Sequence, residues 1–396
     1  MRLLRAFGAI LVCFSTIFTY SALGDDAPAP RQLKTYPVHN NPDSADISPD
    51  DRLVVTAVRF PANSSDPGDN RFVEAVQLWN FKLDKLVAEF RLPPADVKTP
   101  YGKGSWRFDL SDRFARFSPD GGVVIALIQR TLYVLSSKDL STLKVIPMGA
   151  PSNTADKPRI RAFELSPSGS VAAVLWVTGM LYGTVALYDY SAGKFLRSWD
   201  TPQGWIAATK DVAWTRDGRQ LLVGIPTELP CGSPGNGPDV FVFDADAGTI
   251  AQKFRTGLTA GSIAVAGDHV LAVDENCVGL FEHHDPELRV FELPTGKKVR
   301  EVSGRGAGVR YRVSASANGN RFLAFTGIMR MHFDWSDAVR RDKTVDETFT
   351  VWNATDYSAV ATSQNIPGLK SSELRISATG AYALSCGKAS LVYELP

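Results

Sequence analysis

Along the chain one short pattern of apolar and polar positions returns seven times. A short apolar strand runs into a Ser-Pro-Asp-Gly-like turn. A second, more apolar strand follows, and a third ends in an aromatic beside a polar residue. The turns are Ser48-Pro49-Asp50-Asp51, Ser118-Pro119-Asp120-Gly121, Ser166-Pro167-Ser168-Gly169 and Thr215-Arg216-Asp217-Gly218, with weaker copies at Ala266-Gly267-Asp268, Ser316-Ala317-Asn318-Gly319 and Ser377-Ala378-Thr379-Gly380. Proline suits the second position of a tight turn, and Gly or Asn the positions that need positive φ. Phe163-Glu164-Leu165 and Val212-Ala213-Trp214 typify the strand before the turn; Val171 to Trp176 and Leu221-Leu222-Val223 typify the strand after it.

The third strands, such as Val185-Ala186-Leu187-Tyr188-Asp189 and Val240-Phe241-Val242-Phe243-Asp244, are rich in β-branched and aromatic residues. A turn such as Ser191-Ala192-Gly193-Lys194 then leads into a more polar fourth strand, Phe195 to Trp199. Successive turns lie 48 to 61 residues apart, apart from a first interval of 70. A four-stranded unit of that size cannot bury both of its faces alone. Stacking it radially between two neighbours does so and removes long exposed edges. The expectation is an all-β, seven-bladed β-propeller with four antiparallel strands per blade. A β-helix needs a shorter and more even coil, and a two-sheet sandwich does not repeat one unit seven times.

The seventh unit is expected to lack its own fourth strand, since only Leu395 and Pro396 follow Leu391-Val392-Tyr393-Glu394. At the other end, Gln32-Leu33-Lys34-Thr35-Tyr36-Pro37-Val38 reads as a fourth strand without the preceding three. The N-terminal strand is therefore expected to complete the last blade and close the ring, leaving neither segment as an open edge. The expected organisation is a signal peptide over 1–24, a flexible tether over 25–31 and one propeller over 32–396.

In these residues the chain resembles the WD40 repeat. Leu78-Trp79-Asn80, Leu187-Tyr188-Asp189, Val242-Phe243-Asp244 and Val351-Trp352-Asn353 match that family's hydrophobic, aromatic, Asp/Asn ending, and the Ser-Pro-Asp-Gly turns match its turn between first and second strands. The likeness covers roughly Gln32 to Pro396 and departs in lacking the Gly-His pair before the first strand. The His-Ser/Thr-Asp-Trp hydrogen-bond network of the family is thus missing. The chain looks like a divergent, WD40-like propeller of a bacterial exported type. The resemblance speaks to architecture and is nearly silent on activity.

The extreme N-terminus changes the picture of where such a ring works. Arg2 and Arg5 precede an apolar stretch from Ala6 to Tyr20, and Ala22-Leu23-Gly24 offers small residues before a cleavage expected ahead of Asp25. The stretch is short for a membrane span, and no later segment is long and apolar enough to cross. The expected location is secreted or periplasmic. Losing Arg2 and Arg5 takes the net charge from +1 to about −1. No basic run stands out, so nucleic acid is not an expected partner. Cys231, Cys277 and Cys386 remain after cleavage. Cys231 and Cys277 each follow the second strand of neighbouring units, so both loops leave one face and the two are expected to form a disulfide, with Cys386 free.

Long insertions fall mainly between second and third strands: Phe60 to Glu74, Pro226 to Pro238, Glu275 to Pro286 and Gly327 to Glu347. All such loops leave one face of a propeller, and loops on rigid scaffolds commonly carry recognition. Glu282-His283-His284-Asp285 is the only dense ligand-type cluster, but adjacent loop residues seldom converge on one ion, and its spacing fits no standard metal motif. A solvated polar loop is its plainer reading. Met329, Met331, His332, Phe333 and Trp335 form a mixed apolar, aromatic and basic stretch suited to an interface anchor or a plug over the channel. Trp205 is a further interface candidate, whereas most other tryptophans occupy strand positions that fill the wedge between blades.

The chain has no phosphate loop, no Cys-x-x-Cys, no His-Glu-x-x-His and no Gly-x-Ser-x-Gly. No cofactor is expected and catalytic residues are unassigned. The leading expectation is an interaction scaffold that meets another exported or envelope protein through its loop-decorated face. A propeller enzyme (a hydrolase, lyase or dehydrogenase-like subunit) with a site in the central channel stays open beside it, as does carbohydrate or small-ligand binding.

Overall fold

The computed structural model of the protein describes residues 28–36, 44–63, 71–96, 113–149, 158–179, 181–204, 211–225, 237–258, 260–274, 287–303, 312–332, 341–363, 373–386 and 390–396. Among the described residues every regular element is a β-strand. The first, β1 (Arg31–Tyr36), is followed by the strands of blade 1: β2 (Ser44–Ile47), β3 (Leu53–Pro61), β4 (Arg71–Asn80) and β5 (Lys85–Arg91), with a two-residue β6 (Ala95–Asp96) on the end of β4. Blade 2 contains β7 (Arg113–Phe117), β8 (Val123–Ile128), β9 (Thr131–Ser136) and β10 (Thr142–Pro147). Blade 3 contains β11 (Arg159–Leu165), β12 (Val171–Thr178), β13 (Tyr182–Asp189) and β14 (Lys194–Asp200). Blade 4 contains β15 (Val212–Trp214), β16 (Gln220–Gly224), β17 (Val240–Asp244) and β18 (Ile250–Phe254). Blade 5 contains β19 (Ala260–Ala266), β20 (His269–Asp274), β21 (Glu287–Glu292) and β22 (Lys298–Ser303). Blade 6 contains β23 (Arg312–Ala315), β24 (Arg321–His332), β25 (Arg341–Asn353) and β26 (Ala359–Ser363). The last strands are β27 (Glu373–Ile376), β28 (Tyr382–Cys386) and β29 (Ser390–Glu394).

Blade 7 is completed by the other end of the chain. Its sheet order is β1-β29-β28-β27, and β1 pairs antiparallel with β29 from Arg31 opposite Glu394 to Tyr36 opposite Ser390. The innermost strands β2, β7, β11, β15, β19, β23 and β27 then touch in sequence, and β27 returns to β2. This is the seven-bladed ring with terminal closure that the repeat implies.

The period-2 geometry of strands explains why the middle strands are apolar at consecutive positions. Alternate residues enter opposite wedges. In blade 4, Leu221, Val223, Phe241 and Phe243 pack into the core shared with blade 3, whereas Leu222, Val240 and Val242 pack toward blade 5. Seven apolar clusters fill the seven wedges, and the one between blades 7 and 1 joins Leu384, Cys386 and Val392 to Ala45, Val54 and Val58. Ring closure thus buries a full wedge as well as pairing an edge. The tryptophans serve this packing: Trp176, Trp214 and Trp352 are buried in wedges, and Trp79 and Trp199 pack against them.

The turn motif has a local cause. Ser48 Oγ donates to Asp50 Oδ1 at 2.6 Å while accepting from Leu53 N at 2.8 Å. The same pair of bonds recurs around Ser118 and Asp120, Thr215 and Asp217, and Ser316 and Asn318. The hydroxyl ties the start of the turn to the start of the next strand, as side-chain mimics of backbone turns do. These bonds hold the carboxyls of Asp120 and Asp217 below the usual carboxylate range. Blade 5 departs from the pattern. Ala266-Gly267-Asp268 has no hydroxyl, and its strands are joined by a two-residue turn with Ala266 opposite His269.

Two of the expected loops are shorter than the sequence suggests. Phe60 and Pro61 continue β3, and Arg71 to Glu74 begin β4. In blade 6 most of the stretch from Gly327 to Glu347 is strand: β24 and β25 stay paired out to His332 opposite Arg341.

Candidate functional site

Antiparallel pairing in each blade sends the second strand's end and the third strand's start to one face, here the loop face. Ser-Pro-Asp-Gly turns lie on the opposite, turn face. Side chains on the innermost strands point either into a wedge or into the channel. Two or four positions before Ser48, Ser118, Ser166, Thr215, Ala266, Ser316 and Ser377 stand charged or hydroxyl residues: Asp46 and Ser44, Arg116, Glu164, Asp211, Ser262, Ser314 and Arg312, and Arg375.

These residues bond to one another across blades. Arg375 of blade 7 donates through Nη2 to Glu164 Oε2 of blade 3 at 2.6 Å, and Arg116 Nε of blade 2 lies 3.7 Å from the same oxygen. Asp46 Oδ2 accepts from Phe117 N at 2.9 Å, and Ser44 Oγ accepts from Arg116 Nη1 at 2.6 Å. On the other side of the ring, Arg312 Nη1 of blade 6 donates to Asp211 Oδ1 of blade 4 at 2.9 Å, and Ser262 of blade 5 donates to the same carboxylate. Stitches from side chain to backbone join neighbours too: Ala115 N to Ser44 Oγ, Val313 N to Ser262 Oγ and Ile376 N to Ser314 Oγ, at 3.2 to 3.3 Å. Nearer the loop face, the buried Glu74 accepts from Arg59 of its own blade at 2.7 Å and from Arg113 of blade 2 at 3.3 Å.

The Arg375–Glu164 pair spans the channel between blades separated by two others, so at that level the ring is tied across its middle. Burial raises the pKa of Asp46 to about 6, against the opposing pull of Arg116 and Arg375. Burial also lifts Asp239 to about 6, although Thr256 donates to it from both its amide and its hydroxyl. A raised carboxylate in a cleft is a functional flag in general. Here the Asp46 oxygen is engaged by the Phe117 amide and the Glu164 oxygen by Arg375, which is the chemistry of a brace rather than of a poised acid and base.

Of the residues singled out from the sequence, Met329, Met331 and His332 lie on the outer half of β24, not in a loop, opposite Thr344, Asp342 and Arg341. Phe333, Trp335, Trp205, Cys231, Cys277 and the Glu282, His283, His284, Asp285 cluster lie outside the described residues. Cys386 is buried in the wedge between blades 7 and 1. His269 starts β20 and sits edge-to-face with Tyr357 of blade 6 at 6.1 Å. The channel braces were not singled out, although the signal is present: a charged or hydroxyl residue two or four positions before each turn hydroxyl, in an otherwise apolar strand.

No protein-family model and no curated protein matches the sequence. Solved structures do match in shape. Hydrazine synthase of Kuenenia stuttgartiensis superposes with a TM-score of 0.50 at 12% identity, covering 72% of this chain and 76% of that one. Raptor of Chaetomium thermophilum gives a TM-score of 0.61 at 8% identity over 93% of this chain, which spans only 29% of Raptor. The C-terminal WD40 domain of Sif2 gives a TM-score of 0.51 at 12% identity, covering 93% of this chain and 99% of that domain. At such identities the likeness concerns fold alone. It defines the class: a seven-bladed β-propeller of WD40-like construction.

Proposed function

We propose that the chain is an exported interaction scaffold that engages another exported or envelope protein through its loop face. The observation that carries this reading is the state of the channel. Among the described residues, Asp46, Arg116, Glu164, Asp211, Arg312 and Arg375 are engaged in bonds between blades, so they serve the ring's rigidity and leave the outer faces for recognition. Signal-like residues 1–24 support a secreted or periplasmic setting. The channel-enzyme reading loses its natural location once Glu164, Arg375 and Asp46 act as braces. A sugar-binding aromatic platform is likewise not supported by Trp176, Trp214 and Trp352, which are buried in wedges. The test is affinity capture from the exported fraction with the full chain, followed by cross-linking and mass spectrometry. A reproducible partner cross-linked through loop-face lysines such as Lys343 is the expected result. Failure to recover any partner under several extraction conditions, or cross-links confined to turn-face lysines such as Lys138 and Lys194, would overturn the reading.

A further inference from the structure

We propose that the gap between the turns of blades 2 and 3 is a binding site for a primary alkylammonium group, seated with its ammonium on Asp120 and its aliphatic stem on the apolar floor beside it. The gap has a local cause. In five of the turns the fourth residue's amide donates to the first residue's carbonyl, as Gly121 N does to Ser118 O and Gly218 N to Thr215 O, both at 2.8 Å. The turn of blade 3 makes no such bond, and the Tyr190 hydroxyl donates to Gly169 O at 3.1 Å. The packing differs accordingly. Gly121, Gly218 and Gly319 have positive φ and lie against the preceding blade's turn, so that a Cβ on them would meet Pro49, Ser168 and Gly267 respectively. Gly169 has no atom within 4 Å of where a Cβ would stand.

The space left open is a cavity of about 570 Å³ on the turn face. Pro119, Val123, Val134, Leu143 and Pro167 line it, and Leu143 is exposed. Hydroxyls around it are already engaged: Ser118 donates to Asp120, Ser170 to Asp189 and Tyr190 to Gly169 O. A sugar would find those donors taken. Asp120 is different. Its bonds from Ser118 Oγ at 2.6 Å and Gly122 N at 3.0 Å both go to Oδ1, and no described residue bonds Oδ2. The Ser118 hydroxyl holds this carboxyl below the usual carboxylate range, so it is ionised at neutral pH. Burial lifts the Tyr190 hydroxyl to about 12, with further pushes from Asp120 and Asp189, so both carboxylates act on the cavity. The one lysine in the lining, Lys144, donates to Ser191 O, and its stem lies against Gly193. Two carboxylates against one ammonium select a cation over an anion. The apolar floor selects a cation on an aliphatic stem, since such stems lie along apolar surface while the charged head stays with its partner. The site lies on the turn face and stands independently of the loop-face scaffold reading.

The experiment titrates n-pentylamine into the full mature chain by isothermal titration calorimetry, with n-pentanol and pentanoate as the neutral and anionic counterparts. The amine should bind about tenfold tighter than the alcohol, and pentanoate weaker still, because the hydrogen bond to Asp120 is charge-assisted. Asp120→Asn should remove that preference while keeping the turn intact, because Asn318 makes the same two turn bonds in blade 6. Asp50→Asn, in the turn of blade 1 where Pro49 closes against Gly121, should leave the preference unchanged. A parallel titration with Nα-acetyl-lysine methylamide separates the sources. Binding as tight as the amine's assigns the site to a lysine side chain of a partner, and binding at least about tenfold weaker assigns it to free amines. Equal binding of amine and alcohol overturns the proposal, as does an undiminished preference in Asp120→Asn or an equal loss in Asp50→Asn.

Discussion

Replacing Glu164 by Gln removes the carboxylate that joins blade 3 to blade 7 while keeping the side chain's shape. Arg375 then loses the negative charge on its 2.6 Å acceptor, and Arg116, whose side chain is only 3% exposed, loses a charge at 3.7 Å. Truncating one member of a buried pair costs about 3–5 kcal/mol, and an exposed pair contributes about 0–1 kcal/mol. The Glu164 and Arg375 side chains are 24% and 20% exposed, which places the loss between these limits, at about 2 kcal/mol. Some is recovered, because Glu164 is one of the charges that raises the pKa of Asp46. Without it, Asp46 ionises more readily and faces both arginines. The assay is a double-mutant cycle with Glu164→Gln and Arg375→Met, read as urea midpoints from tryptophan fluorescence at neutral pH. A coupling of about 2 kcal/mol is expected, little changed by salt because the pair is sheltered. The largely exposed Arg31–Glu394 pair at 3.6 Å is the internal control, with an expected coupling of at most about 0.5 kcal/mol. Equal couplings for the two pairs would refute the idea of a braced channel.

Gly296 has φ of +68°, and a Cβ there would lie 2.8 Å from Phe254 Cβ of the preceding blade, so Gly296→Ala should cost more than about 1 kcal/mol, whereas Gly169→Ala, with open space around it, should stay within about 0.5 kcal/mol; similar urea midpoints for the two variants would contradict this packing. Asp46 has a folded-state pKa raised to about 6 from 3.8, so the folded chain holds that proton to higher pH than the unfolded chain does. Its contribution is therefore present below about pH 4 and lost as pH rises toward about 6. Asp46→Asn should remove about 2 kcal/mol of the wild-type decline in urea stability between those limits, leaving the part due to Asp239, and an unchanged slope would refute the assignment.

Much of the architecture was legible because its causes are local. A turn hydroxyl such as Ser118 or Thr215 bonds to residues two and five positions on, so its signal is contained in a hexapeptide. The wedges were legible for a similar reason: Leu221-Leu222-Val223 is apolar at both parities because both faces of the blade are covered. The channel braces were not, since Arg375 and Glu164 are 211 residues apart and meet only once the ring is closed. The ribbon of blade 6 was read as a loop because its alternation is interrupted: the register shifts after Gly327, and Arg330 to Arg341 is mostly charged or irregular in polarity. Strand pairing there follows from continuing the hairpin already begun at Phe322 and Trp352, a cooperative effect that no short window contains.

The central claim is that β1 belongs to the last blade and shuts the ring. Amide hydrogen exchange of the intact mature chain, read by mass spectrometry, tests it without perturbing the fold. Peptides covering Arg31–Tyr36 and Ser390–Glu394 should be protected together and lose protection together as urea is raised, because each strand's ladder depends on the other. Exchange of the Arg31–Tyr36 amides at the rate of a free N-terminal tail, while Ser390–Glu394 remains protected, would contradict terminal closure.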